Sequence, residues 1–564
     1  MGKLPEQTSV LELIDSSPAL RRAVSARSPA YFDVRYARMR FAAHRGRMLD
    51  RFDSEFHRAQ ASLATDSPIK TRLILIEPRG HGKTQAVCSF IARAVCFNRS
   101  VRCLLICETL EVAEKRLGRI KEILCDERVQ QDFCSDPSAG FGPFEPPRGT
   151  EKRLRTKWGE RLIQVVRPQS YVVDPTVEAV GLGGATTGGH FDIIAVDDPV
   201  TDKNVRSPTM RREQRAWFSA TIQPMLEPGG LEFLIGTRKH GDDLYHHCME
   251  SPSWGLIREP AILKWPDKAT PRYDDDEHGR QILVGWDIEG DHEVLWPEER
   301  PLEFLLDERE TMTSLLFERE YQSPVDLRDD ETSPFPRQWL DVATQRGANL
   351  ELYTGDVRFE GTAWPENLLI VQGWDPAFTY DKQAALERDT DYAVGITLAA
   401  DVRTRDRYLM GIHRERGHTP VAKAANVERE WKRFAPPPDA YDQDVTDYIA
   451  NGWVFAVAME KNAAGELHRI DVEGKCAEVP VIPHHTGAEV NDPFKGVPAL
   501  GALFERGKMV LPFATPDTRR DVSVLVDELH GVGTAKHDDT VKALWIAEVL
   551  LRKALAVYDD FVEG

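Results

Sequence analysis

Leu73–Ile74–Leu75–Ile76–Glu77–Pro78–Arg79–Gly80–His81–Gly82–Lys83–Thr84 is an apolar run that enters a Gly-rich turn ending in Gly-Lys-Thr. That order suits a phosphate cradle. Glycines let backbone N–H groups close on phosphates, the Lys reaches the β and γ oxygens, and the Thr hydroxyl meets Mg²⁺. The strict P-loop carries Gly where Glu77 stands, so this loop is a variant of the pattern. Read alone, a plain strand–turn–helix is the alternative. The stretch predicts binding and hydrolysis of a nucleoside triphosphate, with Gly80, His81, Gly82, Lys83 and Thr84 around the phosphates.

A partner for the loop appears downstream in Phe191–Asp192–Ile193–Ile194–Ala195–Val196–Asp197–Asp198. Its apolar residues predict a buried strand, and the end of such a strand is where an α/β sheet collects ligand-binding groups. Asp197 is then the Mg²⁺ residue, directly or through water, and Asp198 the group that orients the attacking water. A further strand, Leu231–Glu232–Phe233–Leu234–Ile235, ends in Gly236–Thr237–Arg238, where polar groups could sense the γ-phosphate.

At 564 residues the chain is too long for one core, and two or three domains are expected. Hydrophobic residues make up 41% and charged residues 29%, ordinary for a globular protein. No apolar run has the length of a membrane span, and Met1–Gly2–Lys3–Leu4–Pro5–Glu6 lacks the apolar core of a signal peptide. The expectation is a cytoplasmic protein with no membrane partner. The eight cysteines form no Cys-x-x-Cys pair, and read as small core residues in a reducing compartment. A net charge of −19 argues against a general nucleic-acid coat. It leaves room for a local basic groove, for which Arg148–Lys157 and Arg206, Arg211, Arg212 and Arg215 are candidates.

From about Ala30 to Leu63 the sequence reads as helical, an arm or lid. Strands and helices then alternate to about Gly241, the βαβ pattern of a mostly parallel sheet, with Gly181–Gly189 as a loop before the acidic strand. Asp267–Pro301 is polar and Pro-rich, Leu302–Tyr321 helical, and Asp326–Pro336 the best linker. The expected division is 1–63 arm or lid, 64–325 nucleotide-binding domain, 326–363 linker and 364–564 second α/β domain.

That second domain opens with Leu368–Leu369–Ile370–Val371–Gln372–Gly373–Trp374–Asp375, a strand delivering a carboxylate. Strands at Asp391–Leu398 and Arg407–Ile412, a helix near Val421–Phe434, and Val454–Glu460, which again ends in an acid, follow. His537–Asp538–Asp539 then sets an acidic pair at a helix start. Asp375, Glu460 and Asp538–Asp539 are the oxygen donors that a site for hard cations needs, and such a site cleaves phosphodiesters. For Asp538 alone, a helix N-cap is the alternative.

With both halves laid out, the sequence resembles the large terminase subunit of tailed bacteriophages. The resemblance runs from about Thr71 to Val549. It rests on Arg79–Gly80–His81–Gly82–Lys83–Thr84, with an Arg four residues before the Lys, on Asp197–Asp198 and on Gly236–Thr237–Arg238. It rests also on Trp296–Pro297–Glu298, Phe317–Glu318–Arg319–Glu320–Tyr321–Gln322–Ser323–Pro324, Asp375, Glu460 and Asp538–Asp539. It implies a P-loop ATPase domain with a mostly parallel sheet, followed by an RNase H-like α/β nuclease domain. The implied ligands are ATP and Mg²⁺, with Mn²⁺ able to replace it in the nuclease site. It further implies Arg79 as a cis stabiliser of the transition state, with Arg238 or one of Arg206–Arg215 as alternative fingers. Thr237 lies in the coupling motif, Asp198 stands where a Glu is common, and Lys542 where an Asp is common. Implied partners are double-stranded DNA, a portal protein, a small terminase subunit and further copies in a ring of five. The implied setting is the host cell cytoplasm and, transiently, the procapsid portal vertex. A cellular ATP-dependent helicase-nuclease or repair enzyme would share both sites but should carry single-strand stacking motifs, and none is evident. An adaptor with decayed sites is disfavoured by the presence of Lys83, Thr84, Asp197, Asp375, Glu460 and Asp539.

Overall fold

The structure is a computed structural model that describes residues 14–134, 142–146, 158–167, 174–186, 188–205, 207–276, 281–324, 334–353, 364–376, 392–416, 419–460, 479, 481–493, 495–532 and 538–563. The basic stretch 148–157 and Arg206 lie outside these residues. The chain forms two compact units. The first comprises Met1–Trp265, Asp291–Leu305 and Phe317–Asp329, and the second Pro266–Gly290, Leu306–Leu316 and Asp330–Gly564.

The first unit is built on a seven-stranded sheet of β1 (Thr71–Ile76), β2 (Cys103–Cys107), β3 (Leu162–Ile163), β4 (Val177–Gly181), β5 (Phe191–Asp197), β6 (Leu226–Gly236) and β7 (Gly255–Arg258). Their order is β3-β4-β2-β5-β6-β1-β7. Every pairing is parallel except β3 with β4. Parallel strands covered on both faces read as continuous apolar runs, which is why β1, β2 and β5 stand out in the sequence. Strand β4 does not, because Glu178 interrupts it and the Gly-rich stretch expected as a loop begins at its last residue. The registers Ile76↔Gly236, Ile235↔Asp197 and Cys107↔Asp197 bring the strand ends to one edge. A short ladder of β8 (Ile262–Lys264) and β11 (Glu293–Val294) completes the strands of this unit.

The N-terminal helices pack onto the sheet. In α1 (Ala43–Ala61), Phe52 is fully buried and stacks on Phe233 of β6 with ring centroids 4.3 Å apart. Burying such a ring contributes about 1.5–3 kcal/mol, so this segment is part of the core. Helices α2 (Lys83–Phe97) and α3 (Leu110–Cys125) follow β1 and β2. Thr109 caps α3 by accepting from the Val112 N–H. The stretch expected as one helix over Leu302–Tyr321 is two, α4 (Leu302–Thr311) and a second over Ser314–Tyr321.

In the second unit, the polar stretch after Asp267 forms an antiparallel ladder of β9 (Lys268–Asp275) and β10 (Gln281–Glu289). The main sheet comprises β12 (Leu368–Asp375), β13 (Ala393–Asp401), β14 (Arg407–Glu415), β15 (Val454–Glu460), β16 (Val481–His484) and β17 (Met509–Val510). Their order is β16-β15-β12-β13-β14-β17. The meander β12–β13–β14 is antiparallel, and β15 and β16 add in parallel beside β12, the arrangement of an RNase H-like sheet. The range read as a linker contains α5 (Arg337–Arg346), whose Leu340 and Ala343 are fully buried beside Phe504 and Leu511. This unit therefore begins before residue 364. One sheet face is covered by α6 (Pro420–Lys432), with Val427 and Trp431 against Ile370 and Val454. The other is covered by α7 (Asp539–Glu563). A Cβ on Gly373 would lie 2.4 Å from Ala547 N and 2.6 Å from Ala543 O. Only glycine lets α7 approach β12 so closely.

Candidate functional site

The loop after β1 turns through two left-handed glycines, Gly80 at φ +75° and Gly82 at φ +83°, a conformation that costs other L-residues free energy. Gly82 ends the turn and α2 starts at Lys83. The Lys83 ammonium donates to the carbonyls of Glu77 and Pro78 at 3.1 and 3.2 Å, and stands 4.0 Å from Asp198 Oδ2. Thr84 Oγ1 donates to Asp197 Oδ1 at 3.2 Å. The structure thus brings Lys83, Thr84, Asp197 and Asp198 together across more than a hundred residues.

Asp197 is buried, with the Arg116 guanidinium 3.5 Å away. Burial, and then the charge of Asp198, push its carboxyl up to about 6, against the opposing pull of Thr84, Arg116 and Lys83. Asp198 sits in the left-handed region at φ +48°, which Asp tolerates better than most residues. Its Oδ1 accepts the Thr237 N–H at 3.2 Å, so the acidic strand and the segment after β6 share a hydrogen bond. Glu108, at the end of β2, accepts from Thr201 at 2.9 Å. Glu77 is buried with neither carboxyl oxygen hydrogen-bonded, and burial holds it well above the usual carboxylate range. Arg79 donates its N–H to Glu320 O at 2.8 Å.

His81 is the loop residue that faces inward. Its Nδ1 is 2.8 Å from Arg79 O, and its carbonyl oxygen lies 2.8 Å from His44 Nε2. Trp296 packs against both rings, 5.2 Å from His44 and 6.2 Å from His81. Burial pushes the His81 imidazole down to about 3. It is a neutral structural support under the cradle. Arg238, a candidate finger, is 1% exposed and bonded to Asp243, His240 O and Gly241 O. Arg211 and Arg215 pair with Asp242. These three are anchored inside their own unit, which is why they do not suit a finger offered to a neighbour.

In the second unit the ends of β12 and β15 lie side by side, with Trp374 opposite Met459. Asp375 and Glu460 therefore meet, close enough for each charge to act on the other. Asp539, first residue of α7, accepts the Tyr392 N–H at 2.9 Å, which fixes it beside the start of β13, where Val394 pairs with Asp375. Burial first, then the charges of Glu460 and Asp539, hold the Asp375 carboxyl well above its ordinary range. Asp538 points instead at Lys542, 2.7 Å away. Burial opposes the charge on Lys542, but Asp538, Asp375 and Asp539 outweigh it and raise the ammonium.

The expected metal cluster is not assembled for a cation. Among the described residues no three His, Cys, Asp or Glu side chains stand where they could hold one metal ion. The acids are engaged with other groups: Asp375 with Glu460, Glu460 also with the Thr486 hydroxyl, Asp539 with Tyr392 and Asp538 with Lys542. The donor chemistry still suits a hard cation, since crowded oxygen ligands raise one another's pKa and a divalent ion relieves that repulsion. The sequence reading missed Thr486, Tyr392, Arg116 and the packing of His81. Only Arg116 left a local signal, a cation three residues after buried Ala113 on the inner side of α3.

No described helix is long and apolar enough to cross a membrane. No family model and no curated protein matches the chain. Solved structures do. The HK97 bacteriophage large terminase aligns over 93% of this chain and 98% of its own, at 13% identity and a TM-score of 0.32. The large terminase of the thermophilic bacteriophage D6E in complex with ADP aligns over 88% and 98%, at 10% identity and 0.40. The ATPase domain of the Thermus phage P74-26 large terminase aligns over 47% and 92%, at 16% identity and 0.26. All three are large terminases of bacteriophages, the family that the sequence motifs resemble.

Proposed function

We propose that this chain is a viral DNA-packaging motor, in which ATP hydrolysis in the first unit drives double-stranded DNA into a procapsid and the second unit cuts the concatemer with divalent cations. The observation that carries the reading is the 3.2 Å bond from Thr84 to Asp197. It joins the start of the helix after a Gly-rich turn to the end of an acidic strand, the pairing that a nucleotide–Mg²⁺ site uses.

Thr84 and Asp197 would hold the Mg²⁺, which when bound neutralises charge on the β and γ phosphates. Lys83 leaves the carbonyls of Glu77 and Pro78 for the phosphates, and Arg79 stabilises charge in the transition state. Asp198 orients the attacking water and accepts its proton. Because Asp198 also takes the Thr237 N–H, loss of the γ-phosphate is felt at the start of the segment after β6. In the second unit Asp375, Glu460 and Asp539 would hold the divalent ion, Mg²⁺ or Mn²⁺, with Asp538 beside them. There the ion would relieve the mutual repulsion of these carboxylates.

The testing experiment uses the full chain. Purified protein should hydrolyse MgATP, nick or cut plasmid DNA when Mg²⁺ or Mn²⁺ is added, and package DNA when combined with procapsids that carry a portal and with a small terminase subunit. ATP turnover with no DNA cleavage under any divalent ion would remove the second activity from the reading.

A further inference from the structure

Two guanidinium groups pack on the glycines of the 77–84 loop. A Cβ on Gly82 would lie 3.3 Å from Arg45 Nη1, and a Cβ on Gly80 would lie 3.4 Å from Arg300 Nη2 and 3.6 Å from its Nε. Their circumstances differ. Arg45 is 1% exposed and ion-paired with Asp33 at 2.7 Å, so its charge is neutralised inside the unit. Arg300 is half-buried and pairs with no carboxylate among the described residues. Among the described residues its Nη1 reaches the Glu299 carbonyl, at 3.4 Å.

Arg300 is nevertheless held in position. Its backbone N–H donates to Trp296 O at 2.8 Å, and the Trp296 ring packs under the loop against His44 and His81. Its guanidinium lies over the Phe304 ring, at the start of α4, 4.4 Å from the centroid. A planar, fixed cation with no carboxylate partner among the described residues, laid against a turn of the kind whose backbone N–H groups bind phosphate, is the form in which Arg recognises phosphate oxygens. We propose that Arg300 is a phosphate-binding residue of this site, its guanidinium contacting the polyphosphate chain of the nucleotide held by the loop. The inference rests on the nucleotide-binding reading and adds to it a cation that lies 220 or so positions from the loop in sequence.

The test measures binding of MgATP and of inorganic tripolyphosphate, which has no nucleoside, by competition with a fluorescent ATP analogue on the full chain. Arg300→Gln should weaken both ligands by the same factor, about tenfold to a hundredfold for loss of a charge-assisted hydrogen bond. Arg300→Lys keeps the charge but not the fork, and should fall between the variant and the wild type. If Arg300→Gln binds both ligands as the wild type does, the proposal fails. It fails also if ATP is weakened and tripolyphosphate is not, since the contact is then with the nucleoside. Should Arg300→Gln melt, Arg300→Lys decides: unchanged binding overturns the assignment, and a shared loss for both ligands supports it. A wild-type chain that binds neither ligand, with Lys83→Ala no different, would overturn the loop reading itself and Arg300 with it.

Discussion

At the end of β5, Asp197 has a hydroxyl at 3.2 Å and a guanidinium at 3.5 Å, and its neighbour Asp198 has an ammonium at 4.0 Å. At the end of β12, Asp375 faces the charges of two more carboxylates, Glu460 and Asp539. Both acids are buried and both have raised pKa values, Asp197 to about 6 and Asp375 well above the ordinary carboxylate range. The difference lies in what the chain itself supplies. Around Asp197 it provides donors and cations that organise the site before any ligand arrives. Around Asp375 the described residues provide mainly like charge, with Lys542 as partial relief. The first site is thus organised by donors and cations of the chain, whereas the acids of the second mainly repel one another.

This contrast breaks most sharply if the two activities fail together. Asp375→Ala or Glu460→Ala should reduce plasmid cleavage by about 10³-fold or more, the scale of losing a charge stabiliser in phosphoryl transfer. ATP turnover should stay near the wild-type rate. Lys83→Ala should do the reverse, ending ATP hydrolysis and packaging while the cleavage of plasmid DNA persists. Chelation with EDTA should stop cleavage, and Mn²⁺ should restore it. Parallel assays on one preparation of each variant check the separation. Loss of both activities in Asp375→Ala would mean that the two sites are not independent.

Within the organised site, Asp198 sharpens the comparison. Asp198→Asn keeps the shape and the acceptor for the Thr237 N–H but removes the base. Turnover should fall about 10²–10⁴-fold, with MgATP binding retained in a direct titration. Unchanged turnover would move the base to Glu77 or Glu108. Glu77 has both oxygens unbonded and is buried, whereas Glu108 is engaged with Thr201, so Glu77→Gln would be the next variant to measure.

What could be read in the sequence follows the same division. Strands with long apolar runs, such as β1, β5, β12 and β15, were visible, and so were the acids at their ends, because burial on both faces and function at the edge leave local traces. Strand β4 carries Glu178 and β16 carries Pro483, which break the apolar run, and the polar β9–β10 ladder has little apolar alternation to show. Helix α5 was hidden in a stretch flanked by Pro334, Pro336 and Gly347. The candidate site was legible in its acids and its loop, and illegible in its partners. Tyr392 reaches Asp539 across 147 positions and Thr486 reaches Glu460 across 26, contacts that only the folded sheets create. Lys542 was visible as a departure from a pattern, but its effect on three carboxylates was not.

The smallest effect concerns the support beneath the loop, and tests whether the first site owes its organisation to neutral buried groups. His81 is buried with Nε2 unbonded, and burial lowers its pKa to about 3, while an unfolded chain protonates near 6.5. The folded value is the depressed one, so the unfolded state takes up the proton first as pH falls. The contribution of His81 is complete above about pH 6.5 and declines on acidification toward 3, by up to about 1.4 kcal/mol per pH unit. For a unit of this size that corresponds to about 2–4 °C per pH unit. His44, also lowered by burial, acts in the same direction. Replacing His81 by Gln removes one of the two titrating rings, so the melting temperature of the transition that ATP shifts should decline less steeply from pH 6.5 to 5 than in the wild type. An equal slope in both proteins would show that His81 does not stay buried and neutral across that pH range.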